Sequence, residues 1–273
     1  LITPRTKLIY LNFPSNPTGG VAGKELLEAT AKVILERCHP NVRVYSDEIY
    51  ENIIFDGQQH RSISSVPEMA ERTIIAGGFS KTYAWTGGRV GYAVFPSVKE
   101  ADVFKTLNIN YFSCVPPYNQ EAAREALENP LSKIAVKEMV QTFETRRNLI
   151  WQKINEIPGI TCQKPGGAFY LFPNISGVCE NLGLIEKHQR LSKEQQSSPD
   201  NIFQMFALYE HQVAVLDRKS FGQIGADGKH FLRLSIAADQ AVLEEGVRRL
   251  KAASDDLSGL DKFIKERPDL LPA

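Results

Sequence analysis

The sequence predicts an α/β protein, with a largely parallel sheet covered by helices and then a smaller α+β domain. Three observations predict it. In the first half, apolar runs of strand length alternate with segments of helical period. The turns after those runs are punctuated by Pro and Gly. In the second half, a long helical stretch gives way to short strand candidates, the last two flanked by helices.

The elements follow in order. Residues 7–13 (KLIYLNF) read as a strand, and the Pro14-Ser15-Asn16-Pro17-Thr18-Gly19-Gly20 run after it must be a loop. Residues 24–38 carry Leu26, Leu27, Ala31, Ile34 and Leu35 at the 3.6-residue spacing of a helix. Residues 42–47, 73–79 and 91–95 are the next three strands. Strands alternating with helices imply a mainly parallel sheet buried on both faces. Residues 131–157 form a long helix with Ile134, Met139, Phe143, Ile150 and Ile154 among its apolar positions, stopped by Pro158-Gly159. Beyond it, 160–163, 168–172, 212–216 and 231–236 are strand candidates, and 201–210 and 240–252 are helices. Residues 186–200 (EKHQRLSKEQQSSPD) are polar throughout and read as an exposed, mobile loop. The expected domains are 1–148 and 149–273.

Composition bounds the function. A chain of 273 residues has room for one or two domains. With 42% hydrophobic and 23% charged residues it is globular, not disordered. Lys plus Arg and Asp plus Glu are 32 each, so the chain lacks the electrostatic footprint of a nucleic-acid or polybasic membrane binder. No apolar run approaches the ~18 residues of a membrane span, and no secretory pattern opens the chain. Cys38, Cys114, Cys162 and Cys179 are scattered without ligand or framework spacing, which favours a reducing cytosol. His39, His60, His188, His211 and His230 never pair at ligand spacing, so no metal site is expected. The chain opens on Leu1, not Met, and reads as lacking the start of a longer protein.

The most informative stretch is Gly77-Gly78-Phe79-Ser80-Lys81-Thr82-Tyr83-Ala84-Trp85-Thr86-Gly87-Gly88-Arg89-Val90-Gly91-Tyr92. Its lysine directly follows a strand, at the carboxyl edge where α/β proteins place ligands. Most lysines are solvated surface charges. One held in an apolar, glycine-tight turn is desolvated, which frees its amine for imine formation. Arg89 lies in a second glycine-rich turn and suits phosphate oxygens. Asn16 follows a strand as well; it can donate to a phenolate-like oxygen, or belong to a plain Asn-Pro turn. Asp47 ends a strand, with Tyr50 three residues on. A buried aspartate there wants a cationic partner, such as a protonated ring nitrogen, or serves as a helix N-cap. Period two puts Leu232, Leu234 and Ile236 on one face of their strand and Arg233 with Ser235 on the other. Such an arginine binds a carboxylate, either of a substrate or of the protein.

Taken in this order, NPTGG, SDEIY, GFSKTYAWTGGRVGY, PGGAFYLFPN and FLRLSIA resemble the class I/II aminotransferases related to aspartate aminotransferase, which are fold-type-I pyridoxal-phosphate enzymes. The resemblance covers nearly the whole chain. It implies a large α/β/α cofactor-binding domain, incomplete at its N-terminus, plus a C-terminal α+β small domain. It implies that Lys81 forms the internal aldimine with pyridoxal 5'-phosphate and later moves the Cα proton. Asp47 then keeps the pyridine nitrogen protonated, Asn16 and Tyr50 hydrogen-bond the ring 3-oxygen, and Arg89 with Ser80 grips the phosphate. Arg233 holds the substrate α-carboxylate, and the turn around Gly167 lines the substrate pocket or merely joins two strands. The reaction implied is amino-group transfer from an L-amino acid to a 2-oxo acid, in a homodimer.

The chain also departs from the family. Gly78 stands where a hydroxyl is frequent, and Gly88 where many relatives carry Trp. Residues 107–113 (LNINYFS) hold no basic residue, against one mode of dicarboxylate recognition. Relatives carry an N-terminal arm, a phosphate-binding helix start and a ring-stacking aromatic ahead of the segment near Leu1. Without these the chain is expected to fold poorly and to bind the cofactor weakly. Two other readings keep the same residues: a β-lyase or synthase of this fold, and a non-catalytic sensor fused to a DNA-binding module.

Overall fold

The computed structural model describes residues 2–191, 198–222 and 228–271. Two compact units emerge from the packing: Leu1–Thr142 with Gly166–Ala168, and Phe143–Pro165 with Phe169–Ala273. The division falls inside the long helix, between Thr142 and Phe143. Phe143 already packs its ring on Phe169, centroids 5.5 Å apart, within the second unit. Gly166–Ala168 belongs to the first because the amides of Gly166 and Gly167 both donate to the Gly19 carbonyl and that of Ala168 to Ile53.

The first unit holds a four-stranded sheet in the order β1-β2-β3-β4. Strand β1 (Leu8–Asn12) leads through helix α1 (Lys24–Arg37) to β2 (Arg43–Asp47). The two strands are parallel, as the helical crossover requires. Leu27, Ala31 and Ile34 form the buried stripe of α1 and pack in one core with Val44, Ile63 and Met69. Strand β3 (Thr73–Gly78) is also parallel to β2. It runs straight into the one-turn helix α2 (Phe79–Thr82), and β4 (Gly91–Val94) returns antiparallel to β3. The "largely parallel" expectation thus holds for three of the four strands. Helices α3 (Val98–Phe112) and α4 (Pro117–Glu128) follow, and the sequence reading assigned neither. Ser97 caps α3 by accepting from the Glu100 amide, yet no residue of α3 is buried. Helix α5 (Pro130–Asn155) carries the chain across the division.

The second unit builds a small sheet in the order β5-β7-β6, antiparallel throughout. Strand β5 is Tyr170–Leu171, and helices α6 (Ser176–Asn181), α7 (Leu184–Arg190) and α8 (Pro199–Tyr209) follow. Strands β6 (Leu216–Asp217) and β7 (Leu232–Ser235) come next, and then α9 (Gln240–Asp255) and α10 (Leu257–Glu266). Two expectations are corrected here. Residues 160–163 form no strand and make a single bridge, Thr161 to Asn174. Residues 186–190 end a helix instead of opening a loop, and Pro199 already starts the next one, with Ser198 accepting from the Asn201 amide as its cap. The rest of that expected loop, 192–197, lies outside the described residues.

Candidate active site

The parallel strands set the site. In register, Asn12 of β1 pairs with Asp47 of β2, and Asp47 with Ala76 of β3. Their carboxyl ends therefore lie side by side, and each feeds a loop with a candidate residue: Asn16 after β1, Tyr50 after β2, Ser80 and Lys81 after β3. Strand β4 runs the other way, with Gly91 opposite Gly78. Its leading residues, Arg89 among them, thus reach the same edge. The first unit gathers six of the candidates: Asn16, Asp47, Tyr50, Ser80, Lys81 and Arg89.

Rigid local chemistry holds each of them. The Asn16 amide donates to Asn12 Oδ1 at 2.6 Å, and the Gly19 amide to the Ser15 carbonyl, so the Asn-Pro-Thr-Gly loop is a closed turn. Lys81 is half-buried on α2. Just ahead of it, Phe79 stacks on Tyr83 at 5.3 Å and meets Trp85 and Tyr92 edge-on, both at 6.5 Å. This aromatic nest accounts for two glycines. A Cβ on Gly77 would fall 2.4 Å from the Tyr92 ring, and one on Gly88 would fall 2.2 Å from the Trp85 ring. Gly88 is therefore the packing partner of Trp85, which explains why no large residue stands there. Arg89 is exposed, in the left-handed region at φ 52°, and its guanidinium donates to the Thr86 carbonyl at 3.0 Å. Tyr50 is buried.

Asp47 is held by its neighbours on β1 and in the turn after β2. Its carboxylate accepts from the Tyr10 hydroxyl at 2.6 Å and from the Ile49 amide at 3.3 Å. The partners are a neutral hydroxyl and a backbone N–H, and the short turn after β2 replaces the helix N-cap. Tyr10 stacks on Tyr45, with centroids 5.4 Å apart. Burial, and then the hydrogen bond to Asp47, pushes the Tyr10 phenol well above its ordinary range. The sequence reading missed Tyr10. Its signal was available only through the register: positions 10 and 12 share a face with 45 and 47.

The next residue, Glu48, was also missed. It points to the other face and is buried. It accepts from Ser46 at 2.8 Å and Ser62 at 2.5 Å, and it pairs with His60 at 2.7 Å. Burial alone would raise its carboxyl; the bonds from His60, Ser62 and Ser46 outweigh that and hold it below the usual range. Glu48, Glu51 and His60 come within 4.8 Å of one another, although no sequence spacing disclosed it. Glu48 and His60 are each other's hydrogen-bond partner there.

Gly167 also lies in the first unit. A Cβ on it would meet the Ile53 carbonyl at 2.8 Å and Pro14 at 2.9 Å. Glycine is needed because the backbone of this turn packs against the loop after β1. Arg233 is in the second unit, on β7. Its guanidinium lies over the Tyr170 ring at 4.4 Å and the Phe221 ring at 5.0 Å. Leu232 and Ile236 on the opposite face are buried, as the period-two reading requires.

A carboxylate, a primary amine and a guanidinium brought to one strand edge can hold a cationic ring nitrogen, a carbonyl carbon and a phosphate. Comparisons with known proteins show which family this chain resembles. A family model described as aminotransferase class I and II matches residues 1–250. The chain is 36% identical over 252 residues to an aromatic-amino-acid aminotransferase 2 of Thermococcus litoralis, covering 92% of this chain and 58% of that protein. It is 38% identical over 257 residues to a probable aspartate/prephenate aminotransferase of Aquifex aeolicus, covering 94% and 59%. Among solved structures, the aspartate aminotransferase of Rhizobium meliloti superposes with a TM-score of 0.79 at 33% identity, covering 93% of this chain and 59% of that one. The chain thus spans less than two thirds of the length of each of these proteins.

Proposed function

This chain belongs to the class I and II aminotransferases, of the fold-type-I α/β architecture, and on that premise we propose that it serves pyridoxal-phosphate-dependent amino transfer from an L-amino acid to a 2-oxo acid. Pyridoxal 5'-phosphate, when bound, supplies an electron sink for the pair left on Cα when its proton departs. The residues of this chain provide the rest. Asp47 faces the ring nitrogen and keeps its proton in place, because an ionised carboxylate favours the cationic partner. Lys81 holds the cofactor through Nζ and, once its amine is free, takes the substrate Cα proton. Asn16 and Tyr50 donate to the ring 3-oxygen. Arg89, with Ser80, binds the phosphate. Arg233 pairs with the substrate α-carboxylate and orients Cα for proton loss. Gly167 lets the backbone line the substrate pocket.

The single observation that carries this reading is the shared carboxyl edge, which places Asp47, Lys81 and Arg89 at the ends of neighbouring strands. The relatives, named as aminotransferases, support transfer over β-elimination. In the same reading the first unit is the cofactor-binding domain, the second is the small domain, and the protein is a cytosolic homodimer. No helix among the described residues is long and apolar enough to cross a membrane. The four cysteines are unpaired thiols, which supports a reducing compartment.

The test is chemical fixation. Borohydride treatment of the pyridoxal-phosphate-loaded protein should leave a pyridoxyl mass on the peptide containing Lys81. Its absence there, with the protein folded and loaded, would defeat the assignment.

A further inference from the structure

We infer that Tyr10 is a positioning residue for the cofactor-binding carboxylate: its hydroxyl orients Asp47 toward the ring nitrogen. The inference rests on the proposed pyridoxal-phosphate reading and adds to it a residue outside the motifs that carry the resemblance.

Three features of the structure point this way. The Tyr10 hydroxyl lies 2.6 Å from Asp47 Oδ2, while the Ile49 amide occupies Oδ1 at 3.3 Å. Each carboxylate oxygen thus has one fixed donor, which sets the plane of the group and leaves a lone pair on each oxygen for a further partner. The register explains why a residue two positions before Asn12 can do this. Tyr10 is paired with Tyr45, and Asn12 with Asp47, so all four side chains share one sheet face and Tyr10 reaches Asp47 diagonally. Finally, the Tyr10 ring stacks on Tyr45 at an interplanar angle of 13°, which fixes the ring plane and so the place of its hydroxyl oxygen.

The electrostatics are consistent with a donor role. Partial burial of an otherwise exposed Tyr10 and the neighbouring Asp47 both disfavour the phenolate, so Tyr10 stays protonated across the neutral range. Tyr45, on the same strand as Asp47, is raised in the same sense by burial and then by the Asp47 charge. The facing position of β3 is Ala76, which carries no charge. Lys81, at the end of β3, is the cation that the proposed reading brings to this edge. A carboxylate that loses a hydrogen-bond donor takes up its proton at higher pH. Loss of this donor is therefore expected to show in the pH at which the cofactor is released.

Tyr10→Phe removes the hydroxyl and keeps the stacked ring, so it isolates the hydrogen bond. The experiment uses the protein as its source produces it, loaded with pyridoxal phosphate. Cofactor dissociation is followed by its visible absorption between neutral and acid pH. Tyr10→Phe should bind the cofactor about tenfold more weakly, the order expected for a hydrogen bond to a charged group, and should release it at a higher pH than the parent. Tyr45→Phe should leave that pH unchanged. An unshifted release pH in Tyr10→Phe would overturn the inference, because a hydroxyl that only ties β1 to β2 would not alter it. Tighter binding in Tyr10→Phe would overturn it too, since Tyr10 would then compete with the ring nitrogen for Asp47. A parent protein that takes up no pyridoxal phosphate would overturn the reading beneath it, an outcome distinct from either of these.

Discussion

The two units of this chain bury their apolar surface in different ways. In the second, α8, α9 and α10 contribute Phe203, Phe206, Leu250 and Leu260 to one core with Leu171 and Leu232 of the small sheet, and all six are inaccessible to solvent. In the first, α1 covers the sheet around Val44, while β4 is exposed along its whole length and α3 buries nothing. Leu8 and Tyr10 of β1 are exposed as well. The difference teaches that the fully buried packing is concentrated in the second unit, while every candidate site residue except Arg233 stands in the first. The closed unit gains its stability from buried area, at roughly 25 cal/mol per Å². The open unit keeps strand ends accessible and fixes the side chains there with short hydrogen bonds and the aromatic nest around Phe79.

The largest expected effect is on turnover and strikes the open unit. Lys81→Ala should abolish amino transfer while changing unfolding free energy by less than about 0.5 kcal/mol, since Lys81 is only half-buried. Steady-state kinetics beside a denaturant titration reads both; retention of more than a small percentage of activity defeats the assignment. Next comes the closed unit's contribution to the chemistry. Arg233→Ala should chiefly raise KM and lower kcat/KM for α-carboxylate substrates, leaving more residual activity than Lys81→Ala. The converse variant is Phe206→Ala. Phe206 is fully buried, 5.7 Å from the Phe263 ring, and its loss should cost about 3–5 kcal/mol. A cost below about 1 kcal/mol would mean that the second unit is not the closed core described here.

These contrasts also show what the sequence could disclose. The strands β1, β2 and β3 were legible because alternation and punctuating Pro and Gly are local signals. The positions of Lys81, Asp47 and Arg89 beside strand ends were legible too, because each sits in a motif punctuated by glycine or closing an apolar run. Helix α3 was not, since its apolar residues Val103, Phe104, Leu107, Tyr111 and Phe112 point to no core and lack a clean helical stripe. The short strand at 160–163 was wrongly expected because Ile160 and Cys162 pack into the core without a ladder partner beyond one bridge. Tyr10 and Glu48 escaped notice because their partners depend on register and on contacts between distant positions: 37 residues separate Tyr10 from Asp47, and 12 separate Glu48 from His60.

Glu48 refines the picture of the open unit, because it is a buried charge in the unit whose β4 and α3 are exposed. Its folded carboxyl is held below the ordinary value by His60, Ser62 and Ser46 acting against burial. A carboxyl depressed on folding stabilises the protein above its unfolded value of about 4.3. That contribution disappears as the pH falls through the lower folded value. Unfolding free energy should therefore decline on acidification below about pH 4.3. Glu48→Gln should cost about 1.5–3 kcal/mol at neutral pH and flatten the acid decline. An acid limb that is unchanged in the variant would remove Glu48 from the account.

The smallest effect is expected on α3, and it tests the openness itself. Tyr111 and Phe112 are 78% and 76% exposed, and their rings touch each other at 6.3 Å. Side chains that are already in water have little burial to lose, so Phe112→Ser should shift unfolding by no more than about 0.5 kcal/mol. Such a cluster, with Val98 and Phe104 on the same helix, should nevertheless bind an apolar dye, and the serine variant should bind less of it. If Phe112→Ser instead costs more than about 1 kcal/mol, α3 is covered in the protein as its source produces it. The contrast between an open and a closed unit would then belong to these 273 residues alone.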